Sequence, residues 1–164
     1  TGQPVTAIHS IADSSRDLIE NMRDLVWNMN PENTTLDNLV ARLREYASDY
    51  LEDMPIDVTM DIPSDVPAQK IPMEINRNIH MILKESLQNI VKHAAAKRVN
   101  ISIQTTPVFR MRIEDDGKGY DADTKNGGNG VKNITARSKA IGATAIMRSQ
   151  PGNGTSITLE INLN

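Results

Sequence analysis

The chain has 164 residues, enough for one domain with a hydrophobic core and too few for two large ones. A formal net charge of −3 and the lack of any long Lys/Arg run argue against nucleic-acid binding and against contact with a membrane surface. Cysteine is absent, which excludes disulfides and thiolate metal sites and fits a reducing compartment. Because the first residue is Thr1, we expect the sequence to be a fragment or a processed product.

Residues 4–30 show the periodicity of a long helix. One face carries residues spaced alternately three and four positions apart: Ile8, Ile11, Ser15, Leu18, Met22, Leu25 and Met29. Such a face pairs with another helix or packs on the chain's own domain, and the pattern alone leaves both possibilities open. Pro31 is expected to end the helix.

The rest of the chain alternates between helical and strand periodicity. In chain order the pattern predicts a helix at 35–52, a strand at 56–62, a loop at 63–72, a helix at 73–95, strands at 98–105 and 107–115, a loop at 117–130, a helix at 130–141, and strands at 143–149 and 155–163. Clustered strands with helices between the clusters indicate an α+β fold, with helices on one face of a mixed sheet.

A polar face on the long helix is the first candidate site. Its residues are Glu85, Asn89, Lys92 and His93. Their spacing places them on one side of a helix. A solvated helix surface would look the same. The alternative is a magnesium and phosphate site, since an amide oxygen suits Mg²⁺ and basic side chains suit phosphate.

The second candidate is the segment Asp115-Asp116-Gly117-Lys118-Gly119 at the end of a strand. Strand alternation turns Asp115 inward, where a carboxylate needs a partner such as the amino group of adenine. Gly117 and Gly119 would let the backbone approach the base closely. An ordinary Asp-Gly turn between strands remains the alternative.

Two glycine-rich segments complete the pattern. The run 126–130 (Asn-Gly-Gly-Asn-Gly) directly precedes a predicted helix, so free backbone N–H groups there could bind an anion. We expect this loop to act as a lid over a nucleotide, although a plain surface loop is the other interpretation. Gly152 to Thr155 forms a weaker signal, a tight turn into the last strand.

Taken in order, these segments resemble the conserved boxes of the GHKL ATPases. The run from Lys84 to His93 is similar to their N box, 115–119 to the first glycine box, 128–134 to the second, and 152–155 to the final glycine-threonine turn. The K-E-x-x-x-N-x-x-K-H form looks like that of sensor histidine kinases of the nitrate-sensor type. The stretch 24–31 resembles the junction after the dimerisation helix in Bacteroidetes-like sensors.

This resemblance implies a Bergerat fold, a two-layer α/β sandwich with a mixed sheet, preceded by a long N-terminal helix. Residues 1–31 would be the C-terminal part of the dimerisation and phosphotransfer helix, and 32–164 the ATP-binding catalytic domain. ATP and Mg²⁺ are the implied ligands. The implied site comprises Glu85 as catalytic residue, Asn89 as metal ligand, and Lys92, His93, Asp115, Gly117, Gly119, Gly128, Gly130 and Thr155 as ATP-binding residues.

The resemblance also implies an enzyme, a protein histidine kinase that passes the γ-phosphoryl group of ATP to a histidine for relay to a response regulator. Homodimerisation would use the dimerisation helices, and the location would be cytoplasmic, compatible with a parent protein anchored in the inner membrane. His9 is followed by Ser10, not by the acidic residue typical of the acceptor, so we expect this chain not to phosphorylate itself. A GHKL serine-directed kinase or hydrolase and a nucleotide-binding pseudokinase are the alternatives.

Overall fold

The computed structural model describes residues 34–121 and 129–163, together with residues 14, 15, 18, 19, 22, 23, 25, 26, 29 and 30. The chain forms two compact units, Thr1–Asn33 and Thr34–Asn164. In the first unit the described residues from 14 to 29 are helical, and its large apolar side chains are exposed: Leu18, Ile19, Met22, Leu25, Val26 and Met29. No helix within the described ranges is long and apolar enough to cross a membrane.

A five-stranded mixed sheet forms the centre of the second unit. Its strands are β1 (Asp57–Asp61), β2 (Arg98–Gln104), β3 (Phe109–Asp115), β4 (Thr144–Ser149) and β5 (Thr155–Ile161). The order across the sheet is β1-β2-β3-β5-β4. Only the β1–β2 pair is parallel, and the other pairs are antiparallel. This confirms the predicted mixed sheet.

One face of the sheet is apolar and the other polar. The buried side chains of the three central strands alternate along each strand: Val99, Ile101, Ile103, Phe109, Met111, Ile113, Ile157, Leu159 and Ile161. The opposite face carries exposed ion pairs such as Arg110 to Glu160, with Nε and Oε1 2.6 Å apart. Alternation of this kind places the core on one side of the sheet, which confirms the predicted α+β arrangement.

Three α-helices surround the core: α1 (Leu36–Leu51), α2 (Met73–Asn89) and α3 (Asn129–Ala140). Helix α1 buries the predicted stripe of apolar residues, which comprises Leu36, Leu39, Val40, Leu43, Ala47 and Leu51. Helix α2 packs between α1 and α3. It buries Ile79, Ile82, Leu83 and Leu87 completely. Burial of these stripes, rather than helix propensity, is the main stabilising contribution in a domain of this kind.

The long helix differs from its prediction at the C-terminal end. The sequence predicts a continuous helix to residue 95, but α2 ends at Asn89 and a π-helical turn follows over Ile90–Ala94. Ala95 then takes a left-handed conformation with φ of 51°. The carbonyl of Ala94 accepts a hydrogen bond from the Lys118 N–H at 2.8 Å. A tertiary contact therefore stabilises this end in a geometry that local sequence does not favour.

Candidate functional site

A cavity of about 560 Å³ lies in the second unit between α2, the ends of β3 and β5, and the start of α3. Its walls include most of the residues predicted from the sequence: Glu85, Asn89, Lys92, His93, Asp115, Gly119, Gly130 and Thr155. Apolar side chains complete the walls, among them Ile90, Ile113, Ile134 and Ile157. A cavity of this size, mostly apolar with a few convergent polar groups, suits a small-molecule ligand.

The polar face of α2 points into this cavity. Glu85 and Asn89 come from the α-helical part, and Lys92 and His93 come from the π-helical turn. The π-turn changes the angle between successive residues, and it still directs both basic side chains to the same cavity as Asn89. This arrangement favours the functional interpretation of the face over a plain solvated surface.

Asp115 lines the same cavity from the end of β3. Its Oδ1 accepts the Gly117 N–H at 2.8 Å. In the antiparallel register it lies opposite Thr155 of β5. Burial raises the pKa of the Asp115 carboxyl above its usual value, and hydrogen bonds from the N–H groups of Gly117 and Thr155 oppose that rise. The result is a half-buried carboxyl group whose oxygens have acceptor positions for a ligand N–H.

The neighbouring Asp116 has a different role. Its Oδ1 accepts the N–H groups of Lys97 and Arg98, each at 2.8 Å, and its Oδ2 is 3.0 Å from the Arg98 Nε. The hydrogen bonds from Arg98, first from its backbone and then from its side chain, lower the pKa of Asp116 to about 2. Asp116 therefore joins β2 to the end of β3 and does not line the cavity.

Gly117 and Gly130 each lie close to residues of α2 or of the π-turn. A Cβ atom at Gly117 would overlap the carbonyl oxygen of Ala94, so Gly117 lets the π-turn pack against the segment after β3. A Cβ at Gly130 would lie 2.6 Å from Glu85 Oε1 and 2.8 Å from Asn89 Nδ2. The first turn of α3 thus packs directly against the two oxygen-bearing side chains of α2.

The structure places Gly117 and Gly119 differently. Gly119 lines the cavity, whereas Gly117 is buried, contacts Ala94 of the π-turn and is not among the lining residues. A role of Gly117 beside the base stays a prediction. Gly128 and most of the 126–130 loop lie outside the described residues.

The structure also reveals residues that sequence reasoning missed. Tyr120 lines the cavity directly after Gly119, and burial, with a smaller contribution from the Asp115 charge, raises the pKa of its phenol. Its backbone N–H donates to Ser149 Oγ at 2.9 Å. Ser149 lies behind Thr155, with their hydroxyl oxygens 2.9 Å apart. The only sequence signal was the position of Tyr120 next to the glycine motif.

The side-chain oxygens on α2 suit a Mg²⁺ ion that also binds a phosphate ligand. Among the residues that the structure describes, no three His, Cys, Asp or Glu side chains form a metal-binding group. Mg²⁺ in phosphoryl-transfer sites needs only one or two protein oxygens, because waters and phosphates complete its shell. The Asn89 amide and the Glu85 carboxylate can supply those oxygens.

Fold and cavity together define an ATP-binding domain. A mixed sheet covered by helices on one face brings a carboxylate into the same cavity as an amide, a second carboxylate and two basic groups. The carboxylate at the end of β3 can accept an N–H from a base that carries an amino group, and the basic groups can bind phosphate oxygens.

The family assignment follows from comparison with known proteins. The model of the histidine kinase-, DNA gyrase B- and HSP90-like ATPase family matches residues 74–164. The chain belongs to this family, and its α+β fold is that of the ATP-binding domains of histidine kinases. The resemblance to GHKL ATPases found in the sequence is thereby confirmed.

Related sequences are sensor kinases. Sensor protein VraS of Staphylococcus aureus is 32% identical over 97 residues, which cover 58% of this chain and 28% of VraS. The signal transduction histidine-protein kinase/phosphatase DegS of Brevibacillus brevis is 29% identical over 96 residues, covering 57% and 25%. The matched part of the chain thus spans between a quarter and a third of these relatives.

Solved structures show the same fold. The histidine kinase domain of the Erythrobacter litoralis EL346 blue-light activated histidine kinase has a TM-score of 0.62 and 25% identity, covering 76% of this chain and 65% of that one. Acinetobacter baumannii histidine kinase AdeS has a TM-score of 0.63 and 20% identity, covering 96% and 84%. At that lower identity AdeS supports the fold alone.

Proposed function

We propose that this chain is the catalytic part of a sensor histidine kinase. It binds Mg-ATP and presents the γ-phosphoryl group to a histidine on a dimerisation helix, for relay to an aspartate of a response regulator. The observation that carries the proposal is the shared cavity: Asp115 and Asn89 line the same space. An adenine amino group at Asp115 and phosphates at Asn89 would fit ATP across it.

The adenine end is set by Asp115. Its carboxylate accepts the amino N–H of adenine, and its other hydrogen bonds, from Gly117 and Thr155, keep it in place. A half-buried carboxylate disfavours the carbonyl oxygen that guanine has at the same position, because two acceptors would then face each other. Thr155 and Gly119 shape the wall around the base.

The phosphate end is set by α2 and α3. Lys92 and His93 face the phosphate oxygens, Asn89 supplies an oxygen for Mg²⁺, and Glu85 positions or deprotonates the attacking group. When bound, Mg²⁺ neutralises charge on the phosphates. Gly130 keeps the first turn of α3 close to Glu85 and Asn89. Catalysis here depends on position and charge neutralisation rather than on covalent chemistry.

The partners follow from this reaction. The exposed apolar side chains of the N-terminal helix, from Leu18 to Met29, support pairing with a second copy of the same helix. A response regulator would be the final phosphate acceptor.

We place the domain in the cytoplasm, where ATP is available; the parent protein can still be anchored in the inner membrane. The finer assignment to a nitrate-sensor-type kinase of a Bacteroidetes-like organism is supported only by sequence motifs such as Lys132-Asn133.

Calorimetric titration with ATP, with and without Mg²⁺, tests the proposal. Asp115→Ala should weaken ATP binding about 10- to 100-fold, since a hydrogen bond to a charged group is lost. It should cost little stability, because it also removes a partly desolvated charge. Asn89→Ala should lower the affinity for Mg-ATP about tenfold, with a much smaller effect on ATP alone.

Asn100→Ala is the matched control, because Asn100 is exposed on β2 and outside the cavity. It should leave both affinities unchanged. Equal ATP affinities for the wild type and Asp115→Ala would contradict the adenine assignment. Binding that is independent of Mg²⁺ would instead favour a pseudokinase that uses the nucleotide as a structural ligand.

A further inference from the structure

Ser149 is outside the cavity wall, yet its hydroxyl joins three parts of the site. At the end of β4, Ser149 Oγ accepts the Tyr120 N–H at 2.9 Å. The same oxygen is 3.1 Å from the Gly154 carbonyl, to which it donates, and 2.9 Å from Thr155 Oγ1. Ser149 and Thr155 are also direct partners in the β4–β5 register, so strand pairing fixes their separation.

Counting protons suggests a direction for these hydrogen bonds. A serine hydroxyl has one proton and two acceptor positions. The Gly154 carbonyl can only accept, and Ser149 Oγ donates to it. Either hydroxyl can donate in the contact between Ser149 and Thr155. With the Ser149 proton on the Gly154 carbonyl, Thr155 is the donor in that contact, and the lone pairs of Thr155 Oγ1 are left to accept.

This polarity matters because Thr155 lies beside Asp115. The two residues are paired across β3 and β5, and both line the cavity. With Asp115 as one acceptor and Thr155 Oγ1 as a second, this end of the cavity suits a ligand that donates hydrogen bonds. An amino group at position 6 of a purine donates, whereas a carbonyl oxygen there does not.

We propose that Ser149 is a positioning residue for base recognition: it fixes the Thr155 hydroxyl as an acceptor and holds the Tyr120 backbone at the cavity edge, which favours 6-aminopurines over 6-oxopurines. Ser149 does not contact the nucleotide. Without its hydroxyl, the Thr155 proton is free to rotate toward the ligand, and the Tyr120 N–H loses its partner.

Because this role builds on the proposed ATP site, the test compares ATP with inosine triphosphate, which has a carbonyl oxygen at position 6. Dissociation constants are measured in Mg²⁺ buffer for wild type, Ser149→Ala and Ser149→Thr, using displacement of a fluorescent ADP analogue for weak ligands. Ser149→Ala should weaken ATP binding about fivefold and inosine triphosphate binding much less, so the preference for ATP falls about threefold or more. Ser149→Thr keeps the hydroxyl on a residue that suits a strand, and it should restore most of the preference.

The matched control is Ser156→Ala, on the neighbouring strand β5 but on the opposite face of the sheet from Thr155. It should leave the preference unchanged. A purely structural role for Ser149 predicts equal weakening for both nucleotides together with a lower melting temperature, and that result would overturn the proposal. An unchanged preference in Ser149→Ala would overturn it as well, whereas a wild-type protein that does not bind ATP would refute the proposed function itself.

Discussion

Two consecutive aspartates show how position on a strand decides the role of a residue. Asp115 continues the inward face of β3 after Met111 and Ile113, so burial raises the pKa of its carboxyl. Asp116 follows the strand and turns to Arg98, whose hydrogen bonds lower the pKa of its carboxyl to about 2. One of these two identical side chains therefore lines the cavity, and the other attaches the end of β3 to β2.

Asp116 should contribute stability that depends on pH. Its carboxyl has a folded pKa of about 2 against an ordinary value of 3.8, so its contribution is complete above pH 3.8 and is lost as the pH falls through about 2. Asp116→Ala should therefore lower the urea midpoint at pH 6, and its difference from the wild type should shrink between about pH 4 and pH 2.

Asp61→Ala removes one exposed carboxylate at the end of β1 and serves as the control for a change in net charge. Equilibrium urea unfolding, followed by circular dichroism across this pH range, measures the midpoint for all three proteins. If the loss in Asp116→Ala were the same at pH 2 and pH 6, the hydrogen bonds to Lys97 and Arg98 would not depend on the carboxylate charge.

At the scale of elements, periodicity predicted every helix and strand of the second unit to within about two residues, apart from the end of α2. Alternating burial along β2, β3 and β5 is a strong signal, because one face of the sheet is covered and the other is not. No periodicity in the sequence indicates the π-turn at Ile90–Ala94. It depends on the Lys118 N–H bonding to the Ala94 carbonyl, which is a contact between segments distant in the sequence.

The candidate site likewise contains residues that the local sequence pattern predicts and residues that depend on contacts between distant segments. Glu85 and Asn89 could be predicted because they share one turn of a helix, and Asp115 because it continues the alternation of β3. Ser149 could not be predicted, since its importance depends on the register between β4 and β5 and on the turn at Gly154. The contact of Gly117 with Ala94 could not be predicted either, because it depends on the π-turn.

The junction of α2 and α3 is tested by Gly130→Ala. The added Cβ would lie 2.6 Å from Glu85 Oε1 and 2.8 Å from Asn89 Nδ2, so these side chains or the first turn of α3 must move. Alanine is also the better helix former, so overall stability should not fall much. We expect Mg-ATP affinity to drop about tenfold or more, in line with the cost of overpacking.

Titration calorimetry and a thermal melt of the same samples separate these two effects. Asn133→Ala provides the control, because Asn133 is exposed on α3 and is not part of the cavity wall. Full Mg-ATP affinity in Gly130→Ala would mean that the start of α3 does not need to approach Glu85 and Asn89 for binding.

At the scale of the whole molecule, the proposed function separates nucleotide binding from phosphoryl acceptance. The cavity lies entirely in the unit Thr34–Asn164. The exposed apolar helix that we propose for dimerisation belongs to the other unit. ATP can therefore bind to the unit Thr34–Asn164 in the absence of an acceptor histidine. Binding of ATP does not require transfer of its phosphoryl group.

Incubation with γ-labelled ATP tests this separation. The three histidines of this sequence are poor acceptors: His80 is 2% exposed, His93 lies in the wall of the ATP cavity, and His9 precedes Ser10 rather than an acidic residue. We expect the chain to bind Mg-ATP and to acquire far less than one phosphoryl group per molecule.

Phosphohistidine is lost in acid and survives alkali, whereas phosphoserine survives acid and is lost in alkali. Treating the labelled protein with acid and with alkali therefore identifies the acceptor type. Stoichiometric acid-labile label on this chain would show that it carries its own acceptor, and acid-stable label would indicate a serine-directed kinase.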